Sequence, residues 1–88
     1  MRTVRDSRQF KKDVKTAEKR RKDLAKLKVV LSMLISGSDL PSALRDHVLT
    51  GYPGLRELHI EPDWLLVYEI HGNVLHLRRT GSHSDLFG

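Results

Sequence analysis

Three histidines, an arginine and an aspartate stand out in this 88-residue chain as groups able to do chemistry together. His59 comes four residues before Asp63 and Arg79 four before His83, while His47 sits in a separate stretch, DHVLTG. Cutting RNA without a metal requires such a set. A base takes the proton of the 2′-hydroxyl, an acid protonates the leaving 5′-oxygen, and a cation meets the charge that grows on the phosphate between them. Imidazole suits both proton transfers because its ordinary pKa lies near working pH. Guanidinium suits the third role through its planar fork of donors. Each residue also has a plainer reading. His59 can be an exposed strand residue, His47 can bond a backbone group in its loop, and His83 can belong to a polar tail. His71, in a turn, and His76, on a strand surface, are assigned no chemistry. The aromatics divide similarly: Trp64 serves either the core or the stacking of a base, and Phe87, near the end, fits stacking on a splayed base. His47, His59 and Asp63 come nearest to a metal ligand set. There is no cysteine and no HxxxH-type pair, so no metal and no cofactor are expected.

The elements that must position these groups are readable in outline. RELHIEPDWLLVY, from Arg56 to Tyr68, reads as two strands around a tight turn at Glu61-Pro62-Asp63. In Leu55 to Ile60, Leu58 and Ile60 point one way and Glu57 and His59 the other. Trp64 to Ile70 is apolar on both faces, as a central strand requires. His71-Gly72-Asn73 is a hairpin signal, and Val74 to Arg79 closes the sheet. DHVLTG and Tyr52-Pro53-Gly54 read as loop. TGSHSDLFG is too polar and glycine-rich to continue the strand and is expected to be a mobile tail.

Before the sheet, Thr3 to Arg5 reads as an edge strand. Phe10, Val14 and Ala17 fall at helical spacing after the N-cap residues Asp6 and Ser7. A break at Arg20 to Asp23 precedes a second helix with Leu24, Leu27, Leu31, Leu34 and Ile35 on one face, ended by Ser36-Gly37-Ser38-Asp39. Pro41 to Leu44 allows one more helical turn. The expected architecture is α+β: an N-terminal antiparallel helix pair packed on a small, mainly antiparallel β-sheet, in a single domain spanning residues 1–88. The sheet face away from the helices, where Glu57 and His59 point, is expected to stay partly open.

Charge is unevenly placed. The net charge is +5, yet residues 1–28 hold 12 Lys and Arg against 4 Asp and Glu, and the rest 4 against 7. All five histidines lie in the second part. A basic front carrying Lys11, Lys12 and Lys15 suits a polyphosphate partner by counterion release, without base specificity; a solvated helix face is the plainer alternative. No apolar run is long enough to span a bilayer, and the charged start is not signal-like, so a soluble, cytoplasmic protein is expected.

The lysine-rich helix pair followed by DHVLTG, GLRELHIEPDWLLVY and RRTGSHSDLFG resembles the YafQ-type toxins of the RelE/ParE toxin–antitoxin superfamily. The likeness covers nearly the whole chain, and the last two stretches are its specific part. It implies a RelE-like fold and an mRNA endoribonuclease that acts in the ribosomal A site. It also implies a cognate antitoxin that silences the toxin in a hetero-oligomer. The family's site, carried onto this sequence, falls on His47, His59, Asp63, Trp64, Arg79, His83 and Phe87. Glu57 stands where some relatives have aspartate, and Val48 where a proline occurs. Two other readings compete. One is a ParE-like inhibitor of gyrase without nuclease chemistry, which has no need of three histidines and Arg79 together. The other is a plain RNA-binding subunit, which leaves Asp63 and the histidine-bearing tail unexplained.

Overall fold

Two polar residues divide the basic front into helices. In the computed structural model, which describes residues 1–88, the Ser7 side chain accepts from the Phe10 amide and starts α1 (Arg8–Lys19). The Asp23 carboxylate accepts from the Ala25 amide and starts α2 (Leu24–Ser36). Each cap satisfies a backbone donor that a helix start leaves unpaired. The second helix stops at Gly37, whose φ of +73° is the left-handed value that L side chains resist, with the Ser38 amide returned to the Met33 carbonyl at 3.1 Å. Arg2 closes the same end, its guanidinium reaching the Leu34 carbonyl at 2.6 Å.

The strands are β1 (Thr3–Asp6), β2 (His47–Val48), β3 (Arg56–Glu61), β4 (Trp64–His71) and β5 (Val74–Gly81), in the order β1-β5-β4-β3-β2. Only the β1–β5 pair is parallel. Alternation along β4 sends Trp64, Leu66 and Tyr68 into one core with Phe10, Ala17, Leu27, Val30, Leu34, Leu58, Leu75 and Leu77. The helix pair covers this face, α1 lying against β5 and α2 against β3. The α+β architecture expected from the sequence is therefore present, with Leu24, Leu31 and Ile35 packed at the margin of the core. A single 3₁₀ turn at Ser42–Leu44 occupies the place where one more helical turn was expected.

Three expectations need correction. DHVLTG is not all loop, because His47 and Val48 pair with Glu57 and Arg56 as the short edge strand β2. The face opposite the helices is not open at Glu57, which is 6 % exposed, nor at Leu65 and Val67, which are buried. The tail is not irregular. β5 runs on through Thr80 and Gly81, and His83–Phe87 forms a third helix, α3. Ser82 and Asp85 close a capping box at its start, and Asp85 pairs with Arg20, the residue that caps the C-terminal end of α1, at 2.6 Å. The alternation that marks a buried helix is absent from five polar-rich residues, so the sequence conceals α3; its signal is the Ser-x-x-Asp box itself.

Candidate active site

Register assembles the site. Residues His47, Glu57, Val67 and Arg79 are successive partners across β2, β3, β4 and β5, so they form one row over the sheet. His59, Leu65 and Gly81 form the next. Leu65 and Val67 are the apolar floor, and the polar members of both rows surround it. Four groups far apart in sequence thus stand on one face, because each strand shows alternate residues to that side.

A bulge puts Arg79 there. Val67 pairs with Arg79 but Tyr68 pairs with Leu77, which leaves Arg78 as an extra residue in β5. Leu77 faces the core, so in an unbroken strand Arg79 would face it too. The extra residue reverses the phase. Arg79 moves into the histidine row and Thr80 turns inward, where its hydroxyl donates to the Leu65 carbonyl at 2.7 Å and accepts from the Trp64 indole at 3.0 Å. Beyond the end of β1 this part of β5 is a sheet edge. Asp13 of α1 serves that edge, taking the Thr80 amide at 3.1 Å and the Arg79 Nε and Nη2 at 2.7 and 3.2 Å. Nη1 of Arg79 makes no hydrogen bond within the protein.

The histidines line up above the floor. The His59 ring lies between those of His47 and His83, with centroids 6.2 and 5.9 Å away. His47 Nδ1 lies 2.9 Å from the Val48 carbonyl and its Nε2 lies 3.2 Å from Glu57 Oε2. Both ring nitrogens therefore lie near oxygen atoms, Nδ1 in a hydrogen bond to the Val48 carbonyl and Nε2 within ion-pair distance of Glu57. On the other side, Asp63 receives both the backbone amide of His83 at 2.9 Å and its Nδ1 at 2.6 Å. That arrangement fixes the proton on Nδ1 and leaves Nε2 free for substrate. The backbone amide first, and then the ring, hold the Asp63 carboxyl below the usual carboxylate range. His59 Nδ1 is buried and has no partner within the protein, a polar atom left unsatisfied at the centre of the row.

Of the residues anticipated for substrate, Trp64 is 1 % exposed and lies in the core, where Lys22 of the α1–α2 link stands 5.7 Å from the ring centre. It offers no face to a base. Phe87, on α3, is 46 % exposed. Lys11, Lys12 and Lys15 are exposed on α1 and form no ion pair. Two carboxylates went unassigned in the sequence reading. Glu57 has period-two spacing with His59, which places it on the same face. Asp13 falls among Phe10, Val14 and Ala17 on the apolar stripe of a basic helix, the wrong place for a solvated acid. No group of three or more His, Cys, Asp or Glu side chains is arranged to hold a metal ion.

Comparison with known proteins gives the family and the fold. The family model described as "Bacterial toxin of type II toxin-antitoxin system, YafQ" matches residues 2–88. The mRNA interferase toxin YafQ of Escherichia coli K12 is 45 % identical over 89 residues, covering 99 % of this chain and 97 % of the relative. The toxin in the crystal structure of the E. coli DinJ–YafQ complex superposes with a TM-score of 0.94 at 44 % identity, covering all of both chains. A metal-bound toxin from Helicobacter pylori superposes with a TM-score of 0.94 at 42 % identity, covering 99 % of this chain and all of that one.

Proposed function

We propose that this chain, which belongs to the YafQ family of type II toxin–antitoxin toxins and is an mRNA interferase, cuts mRNA in the ribosomal A site by metal-independent acid–base chemistry. One observation carries the mechanism: two imidazole–carboxylate pairs, His47–Glu57 and His83–Asp63, flank His59 over an apolar floor. In the reaction one pair takes the proton of the 2′-hydroxyl as its oxygen attacks phosphorus. The other gives a proton to the 5′-oxygen as the P–O5′ bond breaks, leaving a 2′,3′-cyclic phosphate and a 5′-hydroxyl. Arg79, steadied by Asp13 and with Nη1 uncommitted, stands in the same row to meet the charge on the phosphoryl oxygens. His59 packs between the two pairs and keeps their rings apart. Phe87 stacks on a base of the substrate.

Few groups in the row can read a base edge, which supports leaving presentation of the message to the ribosome. The unpaired lysines of α1 supply non-specific attraction to ribosomal RNA. A cognate antitoxin, as DinJ is for the E. coli relative, holds the toxin silent in the cytoplasm. A gyrase-directed inhibitor or a plain RNA-binding subunit has no use for two oriented imidazole–carboxylate pairs. The test is single-turnover cleavage of mRNA on intact ribosomes. His83→Ala is expected to slow it roughly 10²–10⁴-fold, the usual weight of a positioned acid or base. The wild-type protein is expected to keep cutting after chelation with EDTA, provided the ribosomes remain intact. A folded His83→Ala protein that cuts at the wild-type rate, or activity restored to a chelated toxin by an added divalent ion, refutes the mechanism.

A further inference from the structure

His47 stands on the least secured strand of the sheet. β2 has two residues, both exposed, and meets the sheet only through His47↔Glu57 and Val48↔Arg56. The chain enters it through Arg45, a non-glycine residue held at φ +51°, a left-handed conformation that persists only where neighbours enforce it. It leaves towards the turns around Gly51 and Gly54. Within β2 the imidazole has only the neighbouring Val48 carbonyl, 2.9 Å from Nδ1, and that carbonyl moves with the strand, so β2 does not set the direction of the ring relative to the sheet.

Asp46 does. Its carboxylate receives the Arg56 Nη2 and Nε at 2.7 and 3.1 Å and the Tyr68 hydroxyl besides. Arg56 and Tyr68 are register partners on β3 and β4, so one side chain from the loop is fastened to two central strands. Burial first, and then Asp46, push the Tyr68 phenol above its ordinary value, which keeps it a donor at any working pH. Successive residues of an extended chain point to opposite faces. Asp46 therefore turns to the side of Tyr68, a core residue, while His47 turns to Glu57 and the catalytic row. One residue fastens the strand and the next does the work.

We propose that Asp46, Arg56 and Tyr68 are positioning residues that aim His47 at Glu57 and the substrate, a reading that rests on His47 acting in proton transfer. The test uses Asp46→Asn, which gives up the charge that the guanidinium fork matches, and Tyr68→Phe, which removes one hydroxyl and leaves the ring in the core. His47→Ala and the double variant with Asp46→Asn run beside them. The readouts are single-turnover cleavage on ribosomes, ribosome affinity, and the ring ¹⁵N signals of His47 and His83. A misplacement near 1 Å costs on the order of 10²-fold in rate. Asp46→Asn and Tyr68→Phe are expected to slow cleavage roughly 10–100-fold with ribosome affinity unchanged. The His47 signals should move and those of His83 should not, and Asp46→Asn should cost nothing further once His47 is alanine. If His47→Ala cuts normally, the assignment of His47 itself fails. If His47→Ala is slow but folded Asp46→Asn and Tyr68→Phe cut at the wild-type rate, or if the losses simply multiply in the double variant, the positioning role is refuted.

Discussion

Gly81 is the point at which β5 gives way to α3, and adding a single methyl group there tests whether the tail helix sets the position of His83. A Cβ at Gly81 would lie 2.9 Å from Asp85 Oδ2 and 3.0 Å from Asp85 Cβ, closer than such contacts allow. Asp85 cannot swing aside freely. Its carboxylate is held by Arg20 at 2.6 and 3.2 Å and by the Ser82 amide at 2.9 Å. Gly81→Ala must therefore either break the capping box or push α3 outward by several tenths of an ångström. Loss of the cap costs about 1 kcal/mol, and overpacking of this kind typically costs about 1–3 kcal/mol. Gly81 does not use the left-handed region, so alanine fits the strand backbone and recovers some of this through the unfolded chain, about 0.4–1 kcal/mol. The net loss of global stability is then at most about 2–3 kcal/mol. The catalytic change is the sharper readout, because His83 is two residues on and its ring meets Asp63 at 2.6 Å only while α3 stays seated. A shift of several tenths of an ångström, short of the 1 Å misplacement that costs on the order of 10²-fold, predicts cleavage slowed roughly 10-fold. Single-turnover cleavage, with hydrogen exchange of the α3 amides alongside, measures both effects. A Gly81→Ala toxin with normal cleavage and normal protection of α3 refutes the claim that this contact positions His83.

Three further outcomes follow from the same geometry. Trp64→Phe should lower stability by about 1–3 kcal/mol, through a buried cavity and a Thr80 hydroxyl that loses its donor; thermal melts measure this, and the substrate affinity of the folded fraction should not change. Replacing Lys11, Lys12, Lys15 and Lys19 by neutral residues should weaken ribosome binding and flatten its salt dependence, with single-turnover cleavage at saturation unaltered; a salt titration of binding checks it. Acid should release α3. Asp63 and Asp85 are depressed in the folded protein, by His83 and by Arg20 respectively, so their contribution is complete above the ordinary carboxylate range and is lost as pH falls through the lowered values. Exchange protection in α3 should therefore persist through pH 5, where an unperturbed carboxylate begins to take up protons, and collapse only below about pH 4. Collapse near neutral pH would contradict it.

The sequence disclosed the parts of this fold that burial writes into a pattern. Phe10, Val14 and Ala17 at helical spacing, the almost wholly apolar Trp64 to Ile70, and the Gly72-Asn73 turn each report a local rule, and each element formed where that rule places it. The histidines, Asp63 and Arg79 were legible as a set, but their arrangement was not. Arg79 shares a row with His47 only because Arg78 is bulged out, and nothing in VLHLRRTG distinguishes a bulge from a regular strand that points Arg79 at the core. Trp64 was ambiguous for another reason. An indole both buries well and stacks well, and the choice is made by Thr80, sixteen residues away, which gives the ring nitrogen a partner inside the core. Asp46 and Asp13 were hidden because a carboxylate near basic residues looks solvated until its partners are known.

On the proposed mechanism, pairing also explains how one small domain keeps its binding and its chemistry apart. Arg20, Lys22, Lys26, Arg56 and Arg79 each have a carboxylate within ion-pair distance, and each of these pairs fixes an element that frames the site: α3, the β3–β4 turn, β2 or the catalytic row itself. Surface pairs of this kind contribute little to stability, so their value lies in geometry. Lys11, Lys12, Lys15 and Lys19 are exposed and have no such partner, and their counterions are free to be released to a polyanion. Helix α1 carries both kinds of group. Its lysines face solvent, while Asp13, four residues before Ala17 on the buried stripe, grips Arg79 and the Thr80 amide from the same helix. A substitution on the outer face should therefore change where and how tightly the toxin docks. A substitution at Asp13 should change how Arg79 meets the phosphate, and the two effects should separate as affinity against single-turnover rate.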